Sequence, residues 1–533
     1  MTGRNPLTNL DYPDPDVIRV DDTYYMATTT MHFMPGCEIL RSYDLLNWEH
    51  AAYVYDRLDS TPGQRLEGEE NCYGKGMWAA CLRYHKGLFY VCFVANDTHK
   101  TYLYTSPSIR GPWKKQLIEG FYHDCSLLFD NDQVYIAYGN KEIWVTQLRP
   151  DLSGPLEGGL HRMVVSDEGN SYLGYEGTHF YKRNGRYYLF FIHSLRDRWR
   201  RVEACFWSDS LEGEFTGGDV LDDDLGYCGQ GVAQGGIVDT PDGDWYAVLF
   251  QDRGAVGRIP VLVPVSWKNG VPVFGEDPLQ CGKRTVPSQV TIASAECDYQ
   301  YQPLVQSDDF RGAAESAFRD GNSDLTDRFD CFGLKSVWQF NHEPDLTLID
   351  WKREKGMVSV TTDKLCSNLT QAKNMLTQRM CYPGCSGEIT VDFSRLNEGD
   401  YAGICALQGC YGMAAVTKRN GAYWLVMKNR LADNSSLAAM PKDSGGGLEQ
   451  EAVPIPSERG CLRIRLKVEV NFTEMKDEAR FYYWNGEDWK AIGPVHRLYF
   501  TMDHFTGCRF GLFVYSTEET GGTAGFSEFV YRK

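Results

Sequence analysis

At 533 residues the chain is too long for one ordinary hydrophobic core, so two domains of a few hundred residues are expected, each large enough to fold without disulfide staples. Its 54 Lys and Arg against 72 Asp and Glu give a formal net charge of −18, which repels phosphate backbones and anionic lipid surfaces and leaves neither nucleic acid nor membrane as an expected partner. The opening MTGRNPLTNLDYPDPD has no apolar run resembling a secretory leader, and no later stretch offers ~18 uninterrupted apolar residues for a span. A cytoplasmic protein is the expectation. The 17 Cys are scattered, odd in number and without paired CxxC units, which reads as reduced, buried thiols. Cys381 and Cys385 come closest to a metal pair but have no second pair of ligands nearby.

A pattern of strand, polar turn and aromatic-rich strand occurs five times in the first half: DVIRVDDTYYMATT from Asp16, CLRYHKGLFYVCFV from Cys81, SLLFDNDQVYIAYG from Ser126, THFYKRNGRYYLFFI from Thr178 and GIVDTPDGDWYAVLF from Gly236. Alternation broken by Asn, Asp or Gly is the hairpin signal. Tyr25, Tyr90, Tyr135, Tyr188 and Tyr246 mark equivalent places in the copies. Two copies lead into tails, SYDLLNW at Ser42 and SPSIRGPW at Ser106, that begin a further short strand. Three to four strands per unit at this period define the blades of a five-bladed β-propeller over residues 1–290.

After Pro278 the blade pattern stops, and 291–306 reads as a polar, Pro-containing connection. From Ser307 to residue 533, segments such as GMVSVTT, GEITVDF, YWLVMKN, LRIRLKVEV and CRFGLFVY alternate as strands while helical periodicity is scarce, which predicts a β-sandwich and an all-β chain.

In a propeller the innermost strands line the axis, so residues at the same end of successive inner strands converge. Three copies carry a carboxylate at or just before the hairpin: Asp14 in YPDPD, Asp124 in FYHDCSLLF and Glu176 in GYEGTHFY. One carboxylate on each of three blades is a set that acid/base chemistry can use. Asp11 and Asp16, beside the same turns, read instead as solvated or capping groups.

The run NPLTNLDYPDPDVIRVDDTYYMATTT, continued by PGCEILRSYDLLNW, GMWAACLRY, HDCSLLFDND, YEGTHFYKRNGRYYL, QGGIVDTPDGDWYAVLF and GAVGRIPVLVPVSWKNGVPVFG, resembles glycoside hydrolase family 43. The later segments SDDFRG, VWQFNHEPD, KNMLTQRM, GDYAGICALQGCYG and HFTGCRFGLF are similar to the concanavalin-like sandwich appended to its xylosidase-type members. Carried over position by position, the resemblance implies Asp14 as general base, Glu176 as general acid and Asp124 as the carboxylate that orients and tunes the acid. It also implies Arg258 on the terminal sugar's hydroxyls, Trp78 and Phe33 as pocket aromatics, and Phe505 reaching in from the sandwich, which would close the pocket at one end.

The chain departs from the family pattern where a histidine before QGG, facing a cation or water in the channel, is replaced by Ala233, and where GFSEF lacks the usual aspartate. No cofactor is expected to be required, and a channel calcium or other divalent cation loses one donor. The activity implied is inverting, exo-acting release of xylose from the non-reducing ends of short β-1,4-xylooligosaccharides, with arabinofuranose as a further product. The alternatives are an α-L-arabinofuranosidase acting on arabinosyl-substituted oligosaccharides and a non-catalytic carbohydrate-binding propeller.

Overall fold

Each hairpin repeat folds into its own four-stranded antiparallel sheet. The computed structural model describes residues 1–167, 169–293, 299–312, 332–432, 445–456, 462–500 and 505–533. Blade I holds strands Asp16–Val20, Thr23–Thr28, Gly36–Ser42 and Glu49–Tyr55. Blades II, III, IV and V follow without interruption and begin with the strands Met77–His85, Ser126–Asp130, Glu176–Arg183 and Val232–Asp239. In blades I to IV the first two strands are joined by two residues, and the first of them (Asp21, Lys86, Asn131 or Asn184) has positive φ. Hairpin turns need that left-handed conformation because it matches the strand twist. Blade V differs: Asp239 pairs with Trp245 across a five-residue connection, so Tyr246 sits one position closer to the turn than the other marker tyrosines.

Because every blade is contiguous in sequence, no strand is shared between the first and last blades. The ring is fastened instead by the N-terminal segment. Thr2–Arg4 pairs with Gln289–Thr291, the Asn5 amide bonds both backbone groups of Leu262, and the N–H groups of Leu7 and Tyr12 donate to the carbonyls of Pro260 and Arg258. Residues 5–12 therefore run along the third strand of blade V, Arg258–Lys268, before the chain enters blade I.

The second half forms two facing eight-stranded sheets. One contains strands Leu376–Arg379, Gly384–Arg395 of its partner sheet lies opposite, and Ile404, Leu466, Phe510 and Phe526 are buried in the core they share. The first sheet ends on a strand that belongs to the propeller: Phe33 and Met34 pair with Asn341 and Phe340. A sheet that runs from one domain into the other makes the boundary a continuous hydrogen-bonded structure. Buried charges reinforce it, with Arg379 on Glu38 at 2.7 Å and its guanidinium over the Tyr12 ring at 4.3 Å. His32 of the propeller bonds Asn341 at 2.8 Å, and one continuous buried apolar cluster spans both domains from Leu10 to Phe529. The connection lies against blade I, where the Tyr299 hydroxyl donates to Glu49 at 2.6 Å and the Tyr301 hydroxyl accepts from the Tyr43 N–H at 2.9 Å.

This seam corrects the expectation for Phe33. Its ring is fully buried and lies 3.7 Å from the Arg509 guanidinium, so it is a joint between domains and not a wall presented to a sugar. The reading of Asp11 and Asp16 as solvated is likewise corrected, since both are at least 98% buried, at 2% and 1% relative exposure. Asp11 accepts the N–H of Arg258, and Asp16 pairs with Arg83 at 2.7 Å. Among the described residues no helix is long and apolar enough to cross a membrane.

Truncation after Gln306 would bare the apolar seam and unpair Phe33 and Met34, so the isolated propeller is expected to aggregate or to melt at a lower temperature than the full chain. Soluble yield and thermal unfolding of the 1–306 fragment check this; a soluble fragment with an unchanged transition would show the domains to be independent.

Candidate active site

The inner strands meet in one axial cavity lined by Asp14, Asp16, Ala79, Asp124, Gly177, His179 and Gln234 among others. One backbone feature repeats there in all five blades. Asp14, Ala79, Asp124, Gly177 and Gln234 each have positive φ, at 51°, 41°, 48°, 67° and 62°. A left-handed residue kinks the strand as a bulge does, and the register shifts at Trp78, Glu176 and Ala233 mark it in blades II, IV and V. Aspartate tolerates that conformation better than most side chains, so two of the five positions carry carboxylates that the kink turns toward the axis. Glu176 sits one residue ahead of the kink in blade IV. At Gly177 a Cβ would lie 2.4 Å from the Gln234 side chain, which would have to move aside.

Asp14 receives two charge- or dipole-bearing donors. Arg258 Nη1 donates to Oδ1 at 2.5 Å, and Thr29 Oγ1 donates to Oδ2 at 2.6 Å. The Thr29 hydroxyl also accepts the Ala79 N–H at 2.8 Å, which leaves its own proton for Asp14. Both Asp14 oxygens thus act as acceptors, and each retains a further lone pair for a water. Glu176 has a different partner: the amide of Asn140 donates to Oε2 at 2.6 Å. Asp124 holds the turn that carries Glu176, accepting the Gly177 N–H on its carboxylate at 3.1 Å and the Thr178 N–H on its carbonyl at 3.3 Å.

Arg258 is clamped between two rings, Phe250 of blade V at 4.6 Å and Phe505 of the sandwich at 4.1 Å from the guanidinium carbon. The Phe505 ring also meets the half-buried Trp78 edge-on at 5.0 Å. What holds Phe505 there is the chain just after it. The Cys508 N–H donates to the Ala255 carbonyl at 2.8 Å, and a Cβ on Gly507 would lie 2.0 Å from the Val256 carbonyl oxygen, so only glycine lets the sandwich approach the turn before Arg258. Asp252 backs the arginine, facing Arg258 Nε at 3.5 Å and bonding Arg201 Nε at 2.6 Å. The structure therefore brings Asp14, Asp124, Glu176, Arg258, Trp78 and Phe505 into one site and leaves Phe33 in the seam.

Sequence reasoning missed His123, which directly precedes Asp124. Its Nε2 lies 3.6 Å from Asp124 and 3.9 Å from Glu176, with the side chain 22% exposed. The Asp124 carboxylate, opposed by burial and helped by Glu176, raises the imidazole to about 9. Asp124 is pushed up to about 6 by burial, against the pull of His123. Between these values the two form an ion pair. Asn140, the partner of Glu176, and Thr29 were also unrecognised; an adjacent His-Asp pair was the one signal available.

A channel cation does not fit these residues. Among the described residues the one group of three closely spaced metal-type donors is His123, Asp124 and Glu176, with ligand atoms within 4.8 Å of one another, and it lies at the Glu176 turn and not beside Asp16. At the axis Ala233 offers no donor, and the Asp16 oxygens are taken by His179, the Leu82 N–H and Arg83.

Two carboxyl groups converging beside an arginine are what acid/base cleavage of a glycosidic bond requires. Sequence comparison agrees: the profile of glycosyl hydrolases family 43 matches residues 3–272, and that of the beta xylosidase C-terminal Concanavalin A-like domain matches 326–532. The chain belongs to glycoside hydrolase family 43 and is an enzyme of that family. It is 30% identical to a putative beta-xylosidase of Xylanibacter ruminicola over 76% of this chain and 70% of that protein. It is 27% identical to the xylosidase/arabinosidase 43B of Humicola insolens over 99% and 97% of the two chains. The solved structure of a bifunctional GH43-CE protein of Bacteroides eggerthii superposes with a TM-score of 0.86 at 38% identity, covering 99% of this chain; this chain spans 63% of that longer protein.

A histidine whose pKa is raised on folding adds stability that is complete below its unfolded value near 6.5 and is lost as pH rises through about 9. The His123 imidazole, followed by NMR, is expected to titrate near 9, and Asp124→Asn to bring it down toward the ordinary value. His123→Gln should remove the part of the fall in stability between pH 6.5 and 9 that belongs to this pair; an imidazole titrating near 6.5 in the unaltered protein would refute the pairing.

Proposed function

We propose that the chain is an inverting, exo-acting glycosidase that releases xylose from the non-reducing ends of short β-1,4-xylooligosaccharides and also accepts terminal arabinofuranose. The observation that carries the reading is the unequal provision of the two carboxyls. Asp14 is bonded by a guanidinium and a hydroxyl, so both its oxygens serve as acceptors, the role a water proton requires. Glu176 has the Asn140 amide on one oxygen and the His123 imidazole within 3.9 Å, and is the carboxyl left to pass a proton to the departing glycosidic oxygen. In that step Asp14 removes a proton from water as its oxygen attacks the anomeric carbon, the glycosidic bond breaks, and Glu176 protonates the leaving oxygen from the other side. Asp124 keeps the Glu176 turn in place through the Gly177 N–H.

Exo action is supported by the aromatic lid. Phe505 covers the Arg258 guanidinium, so a sugar bonded to that arginine lies at a closed end and its chain can extend only outward. The planar guanidinium suits paired hydroxyls, which xylopyranose and arabinofuranose both offer. The Humicola insolens relative is named for both activities, and release of sugar from aryl xyloside and aryl arabinofuranoside measures their ratio here.

Glu176→Gln is expected to slow natural xylosides by about 10²-fold or more while sparing substrates with acidic phenol leaving groups, which need little protonation. Asp14→Asn should slow both classes alike. Equal leaving-group dependence in the two variants would show the roles to be misassigned. Proton NMR of the first-formed sugar should show the inverted anomer, and the retained anomer appearing first would sink the mechanism.

A further inference from the structure

Beneath the catalytic carboxylates the axis is filled by side chains from every blade, and at their centre lies Arg83 of blade II. Its Nη1 donates to Asp16 Oδ2 of blade I at 2.7 Å and to the Leu82 carbonyl at 2.7 Å. Nη2 donates to Ser126 Oγ of blade III at 2.6 Å, and Nε to the Leu127 carbonyl at 2.9 Å. The guanidinium carbon lies 5.0 Å from the Tyr181 ring of blade IV, whose hydroxyl accepts the Ile237 N–H of blade V at 3.0 Å. The second Asp16 oxygen faces His179 Nδ1 at 3.1 Å. The Arg83 and Asp16 side chains are 11% and 1% exposed.

Two features give this arrangement a role beyond packing. Asp16 lies two residues after Asp14 and Ser126 two residues after Asp124, so one guanidinium ties together the strand starts that carry both aspartates of the site. Each aspartate at the axis also faces a cationic side chain of the protein. Asp14 has Arg258 at 2.5 Å, Asp124 has His123 at 3.6 Å, and Asp16 has Arg83 at 2.7 Å. A divalent ion added beside Asp16 would face the Arg83 guanidinium that already pairs with it, and like charges repel strongly in a buried site. Nor would a sphere replace the fork of donors that bonds the Leu82 and Leu127 carbonyls.

We propose that Arg83 is the propeller's own axial cation, a tethered guanidinium beneath the active-site carboxylates that makes fold and turnover independent of a divalent metal and positions Asp14 relative to Asp124. Burial works against its charge, but the adjacent Asp16 carboxylate raises its pKa above the ordinary guanidinium value. Burial likewise pushes Asp16 up, and Arg83 with His179 outweighs it, so the Asp16 pKa falls. The pair is ionic throughout the neutral range.

The test compares the full-length protein with Arg83→Met, Arg83→Lys and the double variant Asp16→Asn/Arg83→Met. Elemental analysis of the unaltered protein should find no stoichiometric divalent metal, and chelator should leave its Tm and kcat unchanged. In Arg83→Met the kcat should fall about tenfold, as expected for displaced catalytic groups, with KM changed much less. Its acidic limb of kcat/KM should move to higher pH, because carboxylates above the axis have lost a nearby positive charge. Calcium or manganese ions should raise the Tm of this variant and return the limb toward its original place, while Arg83→Lys should keep the limb unmoved. Should Arg83→Met fail to fold, the double variant, which buries no unpaired charge, should recover solubility. Three results would overturn the proposal: stoichiometric metal in the unaltered protein whose removal lowers Tm; an Arg83→Met variant with an unmoved limb and a Tm indifferent to divalent ions; or a double variant as insoluble as an insoluble single one. The proposal uses the glycosidase reading only for its kinetic arm. Inactivity of the unaltered protein on aryl glycosides would defeat that reading and leave the metal-content and Tm arms to decide this one.

Discussion

The contact between Arg258 and Asp14 is the joint on which the site is assembled. The arginine's backbone N–H bonds Asp11 and its carbonyl accepts from Tyr12, so the residue that holds the candidate base also fastens the N-terminal segment to the last blade. Its guanidinium lies between Phe250 of the propeller and Phe505 of the sandwich, and Asp252 links it to Arg201. Ring closure, domain docking and placement of the candidate base therefore converge on one residue. A buried arginine bonded in this way is fixed in orientation, which is what paired hydroxyl recognition requires.

The second constraint is the left-handed residue near the start of every inner strand. It points the same strand position of each blade toward the axis, and the residue there sets what each blade contributes: carboxylates from Asp14 and Asp124, an amide side chain from Gln234, and little bulk from Ala79 and Gly177. The small residues matter as much as the acids. Gly177 lets Gln234 pass close beside the Glu176 turn, and Ala79 keeps its side of the cavity open while its N–H orients the Thr29 hydroxyl toward Asp14.

Carboxylates gathered in a buried axis repel one another, and a separate cation for each aspartate offsets that repulsion. Glu176 is set apart by its bond to the Asn140 amide, although His123 lies within 3.9 Å. His123 thus serves two carboxyl groups at once, at 3.6 Å from Asp124 and 3.9 Å from Glu176.

Much of this was legible in the linear chain. Period-2 hairpins with Asn, Asp and Gly turns defined five blades because local turn chemistry and strand alternation need no tertiary context. The positions of Asp14, Asp124 and Glu176 at or just before the hairpin in three repeats marked them as neighbours. Pairing across the axis and across the domain seam could not be read in the same way, since those partners are separated by tens to hundreds of residues and no local pattern links them. Asp16 and Asp11 looked like turn residues until Arg83 and Arg258 were brought against them. Phe33 occupies the sequence position of a pocket aromatic, yet the strand it lends to the sandwich places its ring under Arg509. Sequence determined the repeat, the carboxylates and the aromatic residue that the sandwich brings to them; tertiary packing decided that Arg258 meets Asp14 and Arg83 meets Asp16, because burial and proximity are properties of the assembled axis.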